Sequence, residues 1–376
     1  MLGRDNQVQA MAVQTEKLIK VQSPAKINLT FEILAKFPDG YHEVRTLLQA
    51  ISLADDLEFK FANSEGQNEQ SRAAANELPC PRCIFKNVDF TGWGDFPLDE
   101  SNLIVKAIRA YQNVVPQARK LDVEISIKKR IPLGSGMAGG STNAAAALVA
   151  INRACGDALA LDKLMEVGAL IGADVPFALR GGTCLGINRG DRLAPVENQA
   201  QFFFFIAKPH SINISTPWAY GRYDELNATI CSDTTNGGSK HTTTMGDTNY
   251  PDTGSGAAIG NQTEVCIAGL RRGDIKAVSE ELVNYFEPVV FQAHPGLGRL
   301  RRLIEDFAGM PCRLTGSGPT LYTLLLTRGE AETVANRLDQ WQQELKGDCA
   351  DTIQDLLPLD CFIAESVCYG TRVIED

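Results

Sequence analysis

The sequence predicts an α+β protein of two domains. Segments with strand period and segments with helix period alternate along it, its clearest strand patterns leave one face wet, and 376 residues exceed what one small core needs. "KINLTFEIL" places Ile27, Leu29, Phe31 and Ile33 at every second position, and "LDVEISIKK" does the same with Val123, Ile125 and Ile127. That period describes strands with one buried face. "STNAAAALVAINRACG" is Ala-rich, with Ser141 and Thr142 as expected caps and Gly156 as its stop, and so predicts a helix. "FFFFIAKP" reads as a buried strand opening the second domain, and "RLTGSGPTLYTLLL" as a glycine turn leading into another.

Polar breaks set the expected boundaries. Residues 1–20 read as a tail, 21–198 as the first domain with an insertion at about 61–95, and 199–345 as the second. Residues 231–263, rich in Ser, Thr, Asn and Gly, are expected to be a disordered insertion, and 346–376 a C-terminal extension.

Composition excludes several function classes. A net charge of −10 argues against a nucleic-acid surface, which needs clustered Lys and Arg. No apolar run reaches the roughly 18 residues of a membrane span, and the N-terminus is polar where a signal peptide is apolar, so a cytoplasmic protein is expected. Most of the ten cysteines lie singly in apolar stretches and read as buried thiols. "CPRC", Cys80 to Cys83, lacks a second pair at ribbon spacing; a loop decoration is the plainer reading than a zinc site.

The stretch that carries chemistry is "RIPLGSGMAGGSTNAAAAL", Arg130–Leu148. It matches a Walker A loop except that Gly140 stands where the lysine belongs, and that lysine supplies the charge meeting the β and γ phosphates. Gly134, Gly136 and Gly139 also spell the dinucleotide fingerprint. The strand before them alternates Glu124, Ser126 and Lys128 with apolar residues, however, whereas Rossmann strands are apolar throughout. What remains is a glycine loop at a helix N-terminus. There, backbone N–H groups converge on an anion, and Ser141 or Thr142 hydroxyls are available to phosphate or metal. A plain turn is the alternative.

That stretch resembles the second motif of the GHMP kinases. "SPAKINL" (Ser23–Leu29) and "RLTGSGPTLY" (Arg313–Tyr322) resemble the first and third, in the same order. "FPDGYHEVRTLLQAISLADDLEF" and "IGADVPFALRGGTCLG" resemble the branch that phosphorylates a cytidine-diphosphate-linked methylerythritol in isoprenoid precursor synthesis. The resemblance implies an ATP-binding N-terminal domain of mixed α/β type and a ferredoxin-like C-terminal domain. It also implies ATP as co-substrate with Mg²⁺, and a monomer or weak homodimer.

By the same resemblance Asp174 is the expected acceptor of the hydroxyl proton, with Lys26 beside it to lower its pKa and neutralise the moving phosphoryl group. Pro132, Leu133, Gly134, Ser135, Gly136, Met137, Ala138, Gly139, Gly140, Ser141 and Thr142 are expected to hold ATP. Asn28, Tyr41, His42, Thr216, Pro217, Tyr220, Gly316 and Ser317 are expected around the second substrate, with Tyr41 and Tyr220 stacking on the base. The residues alone leave blander roles open: a solvated strand lysine for Lys26, an N-cap for Asp174, core packing for Tyr41.

Met137-Ala138 departs from the Leu-Gly of relatives, and the Ala methyl is expected to restrict the loop. Another GHMP kinase, of homoserine or mevalonate type, stays open, as do an NAD-linked oxidoreductase and a nucleotide-binding regulator without catalysis.

Overall fold

The computed structural model describes residues 16–63, 82–90, 96–235, 261–344 and 354–376. In chain order its strands are β1 (Lys17–Lys36), β2 (His42–Asn63), β3 (Cys83–Asp89), β4 (Leu121–Lys128), β5 (Thr183–Ile187), β6 (Arg192–Pro195), β7 (Phe203–Pro209), β8 (Val283–Asn284), β9 (Cys312–Leu314), β10 (Leu321–Leu325), β11 (Leu359–Glu365) and β12 (Arg372–Glu375). They form two sheets. One runs β12-β1-β2-β4-β3, with β5 and β6 continuing from β2 and β8 beside β1; the other runs β11-β7-β10-β9. Most pairings are antiparallel, β3–β4 and β1–β8 being parallel.

The two long strands β1 and β2 are the frame. Their lower halves pack Ile19, Val21, Leu57, Phe59 and Phe61 against the helices Leu103–Val114 and Gly139–Ala154, whose alanines Ala144 to Ala147 are fully buried. Small side chains let that helix lie close on the sheet. The upper half of β1 reaches the second sheet, where Phe31 and Ile33 join Phe205, Phe286 and Leu314. There the expected wet face is absent: Lys26, Asn28, Thr30 and Glu32, alternating with the apolar residues, are all buried. Strand β4 does keep its half-exposed polar face.

The end of the chain is built into both sheets. Strand β11 pairs with β7 and β12 with β1, so the segment expected to be an extension supplies a strand to each. Strand β8 likewise comes from the C-terminal half but pairs with β1. Of "CPRC", Cys80 lies outside the described residues and Cys83 sits half-buried on β3. Most of residues 231–263 also lies outside them. No group of three metal-ligating side chains occurs among the described residues, and no described helix is long and apolar enough to cross a membrane.

Candidate active site

The glycine loop owes its shape to alternate residues in the left-handed region. Gly134 (φ 60°), Gly136 (φ 75°) and Ala138 (φ 61°) curl the chain before the helix begins at Gly139. Glycine is favoured at the first two by angle, and at Gly136 space requires it as well, since the blocking atom there is backbone. A Cβ on Gly134 would lie 2.1 Å from Asn213 Oδ1, and one on Gly136 2.3 Å from the Thr315 carbonyl. Ala138 adopts the left-handed angle with a methyl group present, at a cost of about 1 kcal/mol.

Two expectations for the loop are corrected here. The helix starts two residues before Ser141, and Thr142 Oγ1 donates within it to the Gly139 carbonyl at 3.0 Å, so neither residue is the cap. Met137 is fully buried among Ala25, Ile27 and Tyr322, and its carbonyl accepts from the Lys26 N–H at 3.3 Å. Met137 and Thr142 thus support the loop from behind.

In front of the loop lies a cavity of about 390 Å³. Its wall is formed by Pro132 to Gly136, Ala138 to Ser141, Lys26, Asn28, Asp174, Thr216, Tyr220, Gly316 and Ser317, together with Thr46, Phe31, Phe286, Leu103 and Arg189. Three segments far apart in sequence meet there. The closest approach is between the second and third motifs: a Cβ on Gly316 would lie 2.9 Å from the Gly136 carbonyl and 3.4 Å from Lys26 Nζ. The Thr216 and Ser317 hydroxyls face each other at 3.2 Å.

The cavity floor includes Lys26 and Asn28 from the polar face of β1. Lys26, 5 % exposed, donates to Asn28 Oδ1 at 2.6 Å; Asn28 Nδ2 donates to Thr46 Oγ1 at 2.8 Å, and Thr46 donates to the Thr30 carbonyl at 2.7 Å. This chain fixes the lysine's direction and leaves two of its three donors for the cavity. Burial pulls the Lys26 pKa below the ordinary lysine value, and the negative charge of Asp174 opposes that. Asp174 precedes the short helix Val175–Arg180 but its side chain makes no capping bond, and its carboxylate faces the same cavity. The bland roles for both residues, a solvated strand lysine and a helix cap, are therefore not what the fold gives them.

The aromatic side differs from expectation. Tyr220 lines the cavity, with His42 stacked behind it at 4.5 Å between ring centroids. His42 Nε2 pairs with Asp224 Oδ1 at 2.7 Å, and Lys36 reaches the other oxygen at 2.6 Å. Tyr41 is 58 % exposed at the rim and carries the Arg189 guanidinium 3.9 Å over its ring. Tyr41, His42 and Pro217 thus stand outside the wall; His42 braces Tyr220, and Pro217 is exposed.

Sequence reading missed Asp224, Arg189 and Asn213. Asp224 follows Tyr220 by four residues on one helix, a spacing that puts both on one face. Arg189 sits in the β5–β6 turn, where only the fold brings it to the rim.

Comparison with known proteins bears on this site. The model of the GHMP kinases N terminal domain matches residues 102–182, spanning the glycine loop and Asp174, and that of the GHMP kinases C terminal matches residues 266–343, spanning Gly316. The 4-diphosphocytidyl-2-C-methyl-D-erythritol kinase of Trichormus variabilis is 32% identical over 94% of this chain and 98% of its own. That of Trichodesmium erythraeum is 34% identical over 83% and 88%. Among solved structures, a 4-(cytidine 5'-diphospho)-2C-methyl-D-erythritol kinase shares the fold at TM-score 0.61, with 22% identity over 93% of this chain and 98% of that one. The homoserine kinase from Cytophaga hutchinsonii shares it at 0.64, with 18% identity over 95% and 97%.

Proposed function

Since the chain belongs to the GHMP kinase family, grouping there with the 4-diphosphocytidyl-2-C-methyl-D-erythritol kinases, we propose that it moves the γ-phosphoryl group of ATP to the 2-hydroxyl of 4-diphosphocytidyl-2-C-methyl-D-erythritol. The products are the 2-phosphate and ADP, in the methylerythritol phosphate route to isoprenoid precursors. The observation that carries the reading is the convergence of Lys26, Asp174 and the glycine loop on one cavity.

Phosphoryl transfer asks chiefly for positioning and for positive charge where the phosphate's charge develops. In this reading the N–H groups at the start of the helix Gly139–Ala154 and the loop hold the nucleotide phosphates, helped by the helix dipole. Lys26, aimed by Asn28, faces the transferred group and supplies the charge that Gly140 cannot. Asp174 accepts the proton of the attacking hydroxyl. Tyr220 offers a flat face to the cytosine end, and Arg189 a positive charge at the rim near the diphosphate.

Mg²⁺ takes oxygen ligands, and the Asp174 carboxylate and Ser141 hydroxyl on the cavity wall fit that preference. These two residues would hold the ion, whose charge would offset that of the phosphates. The reading carries with it a small-molecule substrate and a monomer or weak homodimer.

The test is ADP release from ATP and Mg²⁺ with the cytidyl substrate, homoserine or mevalonate, using Asp174→Asn as control. Release with the cytidyl substrate alone, lost in the variant, is expected. Release with another acceptor only, or an undiminished rate in the variant, overturns the assignment.

A further inference from the structure

Behind the glycine loop, on the side away from the cavity, lies a buried polar cluster that the reaction itself does not use. Its centre is Asp55 on β2, fully buried. Oδ1 accepts from the Arg130 N–H at 2.7 Å and the Ile131 N–H at 2.9 Å. Oδ2 accepts from Lys129 Nζ at 2.6 Å and from Asn143 Nδ2 at 2.7 Å. Lys129 also donates to the Ile131 carbonyl at 2.7 Å, and its Nζ would lie 2.8 Å from a Cβ on Gly139.

One carboxylate thus grips both ends of the loop. Arg130 and Ile131 are where the chain leaves β4 and enters it; Asn143 is the fifth residue of the helix it leads into. A buried ion pair contributes little net stability, because desolvation offsets its attraction, but its hydrogen bonds fix directions tightly. We propose that Asp55, Lys129 and Asn143 are positioning residues that hold the loop's backbone amides in register for the nucleotide phosphates. This rests on the phosphate-binding reading of the loop given above.

Asn143 separates this role from plain stability. Its Oδ1 is buried with no partner, so the bond to Asp55 is what ties its side chain in place. Alanine there removes an unsatisfied acceptor and suits a helix interior, which offsets the lost bond. In Asn143→Ala the melting temperature is expected to stay within about 3 °C of the wild type. ATP Kd, from calorimetric titration, and ATP KM are expected to rise about tenfold, the scale of one charge-assisted hydrogen bond. The KM of the cytidyl substrate is expected to stay unchanged.

An unchanged ATP Kd in Asn143→Ala, or an equal rise in both KM values, overturns the inference while leaving the kinase reading intact. A wild-type protein that fails to bind ATP overturns the kinase reading, and this inference with it.

Discussion

Gly316 approaches Gly136 so closely that it has no room for a side chain: a Cβ on Gly316 would lie 2.9 Å from the Gly136 carbonyl oxygen. The contact joins loops 180 positions apart and closes the cavity beside Lys26. Gly316 also has φ 57°, an angle that penalises any Cβ. Gly316→Ala is expected to lower kcat/KM by at least about 100-fold, the scale set by an ångström of misplacement. Stopped assays for ADP check the rate, and circular dichroism checks that the variant is folded.

Lys26 is a buried lysine that costs the fold stability, and in the proposed reading it is there for the transferred phosphate. Burial lowers its pKa, so the protonated form is disfavoured in the folded chain relative to the unfolded one. The penalty is whole at pH values below the folded pKa, where both states carry the proton, and vanishes above the ordinary value of 10.5, where neither does. Lys26→Met is expected to melt no lower than the wild type at pH 7, with an advantage that shrinks toward pH 10.5. Its kcat is expected to fall by at least about 100-fold. Calorimetry across pH, together with the kinase assay, tests both.

Ala138 occupies a left-handed conformation that glycine adopts without strain. Ala138→Gly is expected to stabilise the protein by about 0.5 kcal/mol, the relief of strain exceeding the added entropy of the unfolded glycine. Urea titration measures it, and a loss of stability would contradict the strain.

Asp224 holds His42 behind Tyr220. Partial burial works toward a higher pKa, yet the bonds from Lys36 and His42 hold the carboxyl below its usual range. With a depressed folded pKa, its contribution is present above the unfolded carboxylate value and lost as the pH falls through the folded one. Asp224→Asn is expected to cost about 0.5 kcal/mol at neutral pH, given its partial exposure, and progressively less as the pH falls below the ordinary carboxylate range. A several-fold rise in the KM of the cytidyl substrate, with ATP KM unchanged, is expected alongside.

Much of the site was legible because its residues carry their own local constraints. Gly134 and Gly136 need positive φ, and the polar alternation of Lys26 and Asn28 is visible in "KINL". Asp174 stood out by resemblance. Met137 and Thr142 were misplaced because one register decides which side of a loop faces out, and the helix begins at Gly139, two residues before the Ser-Thr pair that looked like its cap. Tyr41 and His42 are neighbours in a strand entry, so they point to opposite sides; the fold gave His42 to Tyr220 and Tyr41 to Arg189.

By itself the sequence determined the alternation of β1, the glycine loop without its lysine, and the order of three motifs, because each depends on side chains a few positions apart. The tertiary structure alone decided that the polar face of β1 is buried, with Lys26 and Asn28 on the cavity floor, that Asp55 reaches across to tie both ends of the loop, and that the last strands complete both sheets. Those outcomes depend on contacts between segments distant in the chain, where a carboxylate or a lysine is stable only if a partner from elsewhere arrives to meet it.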